Sequence, residues 1–219
     1  MRIIEQSAEL IGYMMGYQES GGVGYEPFWV TNPEKLIETA GRICYKSEDR
    51  ITETSHQDFI AMVCKRQHES VLEHSCASFR IITDRGILAE ITRHRIASFS
   101  VESTRYCNYS KEKFGKEISV IEPPHLSVDQ RKAWEGACLA SEKYYFELLE
   151  SGLSPQFARS VLPTCLKTEL VCSANFREWK HIIALRTSSA AHPQIRAVVG
   201  QIQQKLIKLA PTVFSVKET

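Results

Sequence analysis

Apolar positions recur along this chain at two different periods, and the residues between the runs mark where elements begin and end. Asn32-Pro33 supplies a cap followed by a proline whose fixed φ suits the first helical position. Leu36, Ile37 and Ala40 then share one helical face. Thr54-x-x-Gln57 has the spacing of a capping box and opens a second helix carrying Phe59, Ile60, Met62 and Val63. From Cys76 to Ile82 the period changes to two, which predicts a strand with Ala77, Phe79 and Ile81 on one face. Asp84-Arg85-Gly86 turns the chain into a helix that faces Ile87, Leu88 and Ile91 inward, and the segment after it reads as a loop.

Downstream, Glu117 to Ile121 reads as a short strand stopped by Pro123-Pro124. Ser127-x-x-Gln130 caps a long helix buried through Trp134, Cys138, Tyr145 and Leu148, ending at Gly152. Ser154-Pro155 starts a short helix that Pro163 stops, and Leu166 to Ser173 alternates as a strand. Asn175-x-x-Glu178 caps a helix with Trp179, Ile182 and Ile183. Pro193 starts the last one, with Ile195, Val198, Val199, Ile202, Leu206 and Leu209 inward. The glycine-rich Glu19 to Gly24 lacks the lysine of a phosphate loop and reads as a mobile surface loop. The sum is a helix-rich α+β fold, a single domain over residues 1–219.

Composition narrows the function classes. A chain of 219 residues, 43% hydrophobic and 24% charged, suits one soluble domain with a substantial core. A net charge of +1 gives no global attraction to nucleic acid or to anionic membranes, so any basic site is local. Glu5 and Glu9 stand where a signal peptide would be apolar, and no uncharged apolar run approaches the ~20 residues of a membrane span. The expected location is cytoplasmic. The seven cysteines are odd in number and form no C-x-x-C, which supports neither a disulfide framework nor a common zinc knuckle.

The densest chemistry lies between Arg93 and Tyr106. Three arginines, a histidine, a carboxylate and several hydroxyls fall within this one short segment. Guanidinium forks bind phosphate and carbonyl oxygens in pairs, so the mixture suits a pocket for a phosphorylated, planar ligand. Arg159, Arg177 and Arg186 add to it, and Arg159 and Arg186 adjoin apolar runs where a buried charge needs a partner. An anionic ligand would supply one. Arg177 and Arg186 fall on opposite or adjacent sides of one helix, and Glu90 and His94, at i,i+4, are spaced to pair. No metal site is read: His68 and His74 cannot share a helix face, and Ser70 stands where an inverted zincin needs histidine. Nor is a nucleophile legible, since there is no G-x-S-x-G and no Pro-Cys-His.

Arg93-His94-Arg95, seven residues and then Ser103 resemble the R-H-R-x7-S signature of the flavin-dependent thymidylate synthases, and Arg105-Tyr106 fits its S-x-R-Y continuation. His68-Glu69-Ser70-x-x-Glu73-His74, Ala158-Arg159-x-Val161-Leu162-Pro163, and Asn175-x-Arg177 followed by Leu185-Arg186 resemble three further segments of that family, in consistent order over about residues 36–209. The resemblance implies a small, mostly antiparallel sheet and reductive methylation of dUMP to dTMP. The carbon comes from 5,10-methylenetetrahydrofolate, the hydride from reduced FAD, and NAD(P)H reduces the flavin. It also implies a homotetramer with FAD sites shared between subunits, and no nucleic-acid or membrane partner.

Residue by residue, it places Arg93, His94, Arg95, Ile96, Ser70, Glu73, Asn175, Arg177 and His181 at FAD. Ser103, Arg105 and Arg159 fall at dUMP, with Arg93 close by and Glu90, Val101, Glu102 and Thr104 flanking. Arg186 is the catalytic arginine that stabilises the N3-deprotonated uracil, and the missing Pro-Cys-His fits a reaction without a cysteine nucleophile. The chain departs from the common pattern at Glu90 (often Gln), Val101 (often Glu, with Glu102 next), His181 (often Asn), Ala190 (often His, with His192 two residues on) and Cys44 (Ser in some members). Two other readings stay open. One is a nucleotide- or RNA-binding module using Arg93, Arg95 and Arg105, which predicts a basic surface and steep salt dependence. The other is a catalytically inactive structural homologue.

Overall fold

The computed structural model describes residues 1–18 and 28–215. The described residues run through eight strands and eight helices, with short 3₁₀ turns between. The strands are β1 (Arg2–Ile4), β2 (Ser7–Tyr13), β3 (Gly16–Gln18), β4 (Phe28–Val30), β5 (Cys76–Asp84), β6 (Ser98–Val101), β7 (Ser119–Ile121) and β8 (Lys167–Asn175). The helices are α1 (Pro33–Tyr45), α2 (Ser55–Lys65), α3 (Arg85–Ile91), α4 (Val128–Glu150), α5 (Pro155–Ala158), α6 (Phe176–Arg186), α7 (Pro193–Leu209) and α8 (Pro211–Phe214).

The central sheet has the order β2-β5-β8-β6 and is antiparallel throughout, as expected. Period-two patterning sets its register. Ala77, Phe79, Ile81 and Thr83 of β5 and Thr168, Leu170, Cys172 and Ala174 of β8 are all buried, and Phe79 stands opposite Cys172. On the other face, Ser78 and Ser173 hydrogen-bond at 2.6 Å and Arg80 donates to Glu169 at 2.6 Å. Helices α1, α2, α6 and α7 cover the buried face in one core. Trp179 of α6 lies edge-on to Phe79 at 5.1 Å and donates its indole N–H to the Ala77 carbonyl at 3.0 Å, so its large apolar ring is buried with the polar atom satisfied. A second core of Tyr109, Ile118, Val120, Cys138, Tyr145, Ala158 and Leu166 joins α4 to the parallel pair β1–β7.

Several expectations change on the structure. The segment after α3 does not remain a loop: Ser98–Val101 pairs with β8 as the fourth strand. Strand β2, where apolar Ala8 and Leu10 alternate with Ser7 and Glu9, carries too weak a pattern to be read and is fixed by pairing with β5. The Thr54 capping box does not form. Thr52 and Ser55 instead exchange backbone N–H to hydroxyl bonds at 2.8 and 3.2 Å, and the Ser55 hydroxyl donates to Glu38. Trp134 and Leu148 are only half-buried, because α4 shows much of its surface to solvent. The loop expected at Glu19 to Gly24 lies outside the described residues. No helix among those described is long and apolar enough to cross a membrane.

Candidate active site

Two helix ends meet at the centre of the site. Helix α3 starts on Asp84, whose Oδ1 accepts from Ile87 N at 2.7 Å while its Oδ2 accepts from Gln194 at 2.9 Å. The end of α3 presents Glu90, and the turn after it presents His94. Helix α6 starts on Asn175, whose Oδ1 accepts from Glu178 N at 2.8 Å, and ends at Arg186. Arg186 Nε donates to His94 Nε2 at 3.0 Å, Nη1 donates to Glu90 Oε2 at 2.9 Å, and Nη2 donates to the Glu90 carbonyl at 2.9 Å. Glu90 and His94 are therefore joined through Arg186, not directly. A donor fork between two acceptors gives charge-assisted bonds that a neutral imidazole and a carboxylate cannot give each other. The Arg186 side chain is 15% exposed. Of the five guanidinium N–H groups, three are engaged, leaving one on each terminal nitrogen for a ligand.

His94 is buried, and its pKa is pushed down to about 4 by that burial and then by the Arg186 and His181 charges. A guanidinium can only donate, so His94 Nε2 is the acceptor and its single proton sits on Nδ1. That nitrogen lies 3.5 Å from Glu178 Oε1. The ring also packs edge-on to His181 at 5.8 Å. His94, Glu178 and His181 have potential ligand atoms within 4.8 Å of one another, a grouping that the spacing of His68 and His74 did not point to. Glu178 was legible only as a helix cap. The available signal was an acidic residue at a position that the helix turns inward, beside Trp179.

The first turn of α6 packs against the 3₁₀ segment Glu69–His74, which carries Ser70. Arg177 donates to Glu73 at 2.5 Å, and Lys180 bonds Glu69. Thus Ser70, Glu73, Asn175 and Arg177 come together, with His181 one turn further along α6. Arg177 and Arg186 face different neighbours, as their spacing required. Arg159 donates to the Thr104 hydroxyl at 3.2 Å, and Ser103 Oγ accepts from Arg105 N at 3.3 Å. Glu102 has both carboxylate oxygens engaged, one by Lys167 at 2.8 Å and one by the Tyr109 hydroxyl at 3.1 Å, while Arg85 holds its carbonyl at 3.0 Å. It braces the loop between β6 and Arg105, a role for which Lys167, Tyr109 and Arg85 gave no sequence signal. Arg93, Arg95, Val101 and Arg105 are exposed, and Ile96 is 71% exposed. Among the described residues, Arg93, Arg95 and Arg105 have no carboxylate partner.

A hollow of about 460 Å³ borders Glu90 and is lined also by Gly86, Trp134, Pro163, Thr164 and His192. Pro163, at the end of the segment that carries Arg159, and Glu90, which bonds Arg186, both line it. A larger groove, about 1040 Å³, runs between α2, α6 and α8, but none of the expected site residues line it. The smaller hollow is the one beside the convergent polar groups.

A family model described as thymidylate synthase complementing protein matches residues 28–212. A probable flavin-dependent thymidylate synthase of Mycobacterium phage D29 is 33% identical over 202 residues, covering 84% of this chain and 83% of its own. The flavin-dependent thymidylate synthase of Geobacter sulfurreducens is 30% identical over 192 residues, covering 84% and 81%. Among solved structures, the UMP/dUMP methylase PolB from Streptomyces cacaoi, bound with 5-Br dUMP, superposes with a TM-score of 0.78 at 22% identity over 98% of this chain and 95% of its own, which establishes the shared fold. On these matches, the chain belongs to the flavin-dependent thymidylate synthase family.

Proposed function

We propose that this protein methylates dUMP at C5 to give dTMP, taking the carbon from 5,10-methylenetetrahydrofolate and its reducing power from NAD(P)H through bound FAD. The observation that carries this reading is Arg186. Its guanidinium is fixed by three hydrogen bonds, mostly buried, and keeps two N–H groups for a ligand, while Glu90, which it bonds, lines the 460 Å³ hollow. Aimed at the uracil carbonyl and N3, those groups stabilise the negative charge that must spread over the ring as C5 turns nucleophilic. Preorganisation by Glu90 and His94 means the fork need not reorient as that charge develops. Arg159, Ser103, Thr104 and Arg105 bind the nucleotide phosphate and sugar.

The residues fit a flavin dinucleotide. Arg93, Arg95 and Arg177 offer exposed guanidinium groups for phosphates, and Ile96 offers an apolar face for a ring. His94, Ser70, Glu73, Asn175 and His181 complete that side. Reduced flavin, when bound, supplies hydride. The exposed apolar side chains Ile96, Tyr106 and Phe157 adjoin site residues and support an assembly in which a second subunit covers them, consistent with a homotetramer sharing FAD sites. The cysteines support a route without a thiolate nucleophile. Burial pushes the Cys138 and Cys172 thiols up to about 12 and raises those of Cys64, Cys76 and Cys107.

The test is tritium release from 5-tritiated dUMP in the presence of methylenetetrahydrofolate, NADPH and FAD-loaded protein. Release that depends on all three supports the reading. Folded protein that binds no FAD, or binds it without release, refutes it.

A further inference from the structure

We propose that Glu178 is a positioning residue: its carboxylate keeps the His94 proton on Nδ1, so that Nε2 stays an acceptor and holds the Arg186 guanidinium in its orientation. The link from Arg186 to turnover rests on the function proposed above. An acidic or amide residue at the third position of a helix ordinarily reaches back to the N-cap N–H and completes a capping box. Gln130 of α4 does so, with both arms to Ser127 formed. Glu178 of α6 forms only one arm: its N–H donates to Asn175, while its carboxylate lies against His94. Among the described residues, His94 is its sole ion-pair partner, and the carboxylate accepts no hydrogen bond.

The contact has a direction. Arg186 has no acceptor atom, so its 3.0 Å bond requires an unprotonated Nε2 on His94. The neutral ring must then carry its hydrogen on Nδ1, and the Glu178 carboxylate, 7% exposed as a residue, lies 3.5 Å from that nitrogen. A buried carboxylate needs a donor, and a buried imidazole N–H needs an acceptor. At 3.5 Å the pair stands a few tenths of an ångström beyond the ordinary hydrogen-bond range. A metal ion in the His94, Glu178, His181 grouping is the competing use of these atoms. Metal on Nδ1 would move the proton to Nε2, donor against donor with Arg186 Nε–H, so the observed Arg186 bond favours the proton.

The experiment compares wild type, Glu178→Gln and Glu178→Leu, each with ¹⁵N-labelled histidine. Two-bond ¹H–¹⁵N spectra of the ligand-free protein read the tautomer, and kcat for dTMP formation reads turnover. His94 is assigned from His94→Gln. In the wild type, His94 is expected to be protonated on Nδ1. In Glu178→Leu that preference is lost and kcat falls roughly 10- to 100-fold, by analogy with the loss of a carboxylate that orients a metal-bound histidine. Glu178→Gln, whose amide oxygen still accepts from Nδ1–H, recovers most of both. A wild-type His94 protonated on Nε2 overturns the proposal, even if the leucine variant fails to fold. So does a leucine variant with an unchanged tautomer, or with a changed tautomer and wild-type kcat. The spectra need no substrate, so a wild type without dTMP formation refutes the function while the tautomer still reports on Glu178.

Discussion

Acidification should destabilise this protein through His94 well before most carboxylates protonate. The folded state holds His94 neutral down to about 4, against an ordinary value of 6.5, chiefly because the ring is buried and secondly because Arg186 and His181 face it. The sign follows directly. Below pH 6.5 the unfolded chain takes up a proton that the folded chain refuses, so stability is lost as pH falls and the loss levels off near pH 4. At about 1.4 kcal/mol per pH unit the penalty reaches about 2 kcal/mol by pH 5 and about 3 kcal/mol by pH 4, a large share of a typical domain's stability. The other charged groups around the ring, Glu178 of α6 and Glu90 of α3, are common to a His94→Gln control. Urea unfolding of both proteins at fixed concentration from about pH 7 to pH 4 isolates the His94 contribution as the difference in slope of stability against pH. Parallel curves for the two proteins would refute the buried, neutral His94 described here.

Arg186→Ala should abolish dTMP formation while circular dichroism shows the fold intact; turnover within tenfold of wild type would remove Arg186 from the chemistry. Arg159→Ala loses a charged contact worth about 1.5–3 kcal/mol, which should weaken dUMP binding roughly 10- to 100-fold by calorimetry, with flavin absorbance unchanged. Gly41→Ala should lower stability by about 1–3 kcal/mol in thermal unfolding, because the new methyl would sit 2.5 Å from the Phe59 ring, which Tyr45 and Arg42 hem in.

The parts of the fold that could be read in advance were those whose signal is local. Asn32-Pro33, Ser127-x-x-Gln130 and the alternation of β5 and β8 each state their element within a few residues, and each forms there. Strands β2 and β6 depend on partners far along the chain. Ser98–Val101 has one apolar face at best, and only pairing with β8 makes it a strand. The site divides the same way. Motif order placed Glu90, His94 and Arg186 in one region, but i,i+4 spacing suggested a Glu90–His94 pair because helix geometry knows nothing of an arginine about ninety residues away that bonds both. In sequence Glu178 reads as a cap for the same reason: the competing partner, His94, comes from another element.

On the function proposed above, Arg186, held by Glu90 and His94, drives methylation of dUMP without a cysteine nucleophile. The most direct test is tritium release from 5-tritiated dUMP by FAD-loaded protein with methylenetetrahydrofolate and NADPH, run on wild type, Arg186→Ala and a variant with all seven cysteines replaced by serine or alanine. Release is expected from the wild type and the cysteine-free variant, and none from Arg186→Ala. Release by Arg186→Ala, or its loss from a folded cysteine-free variant, would contradict it.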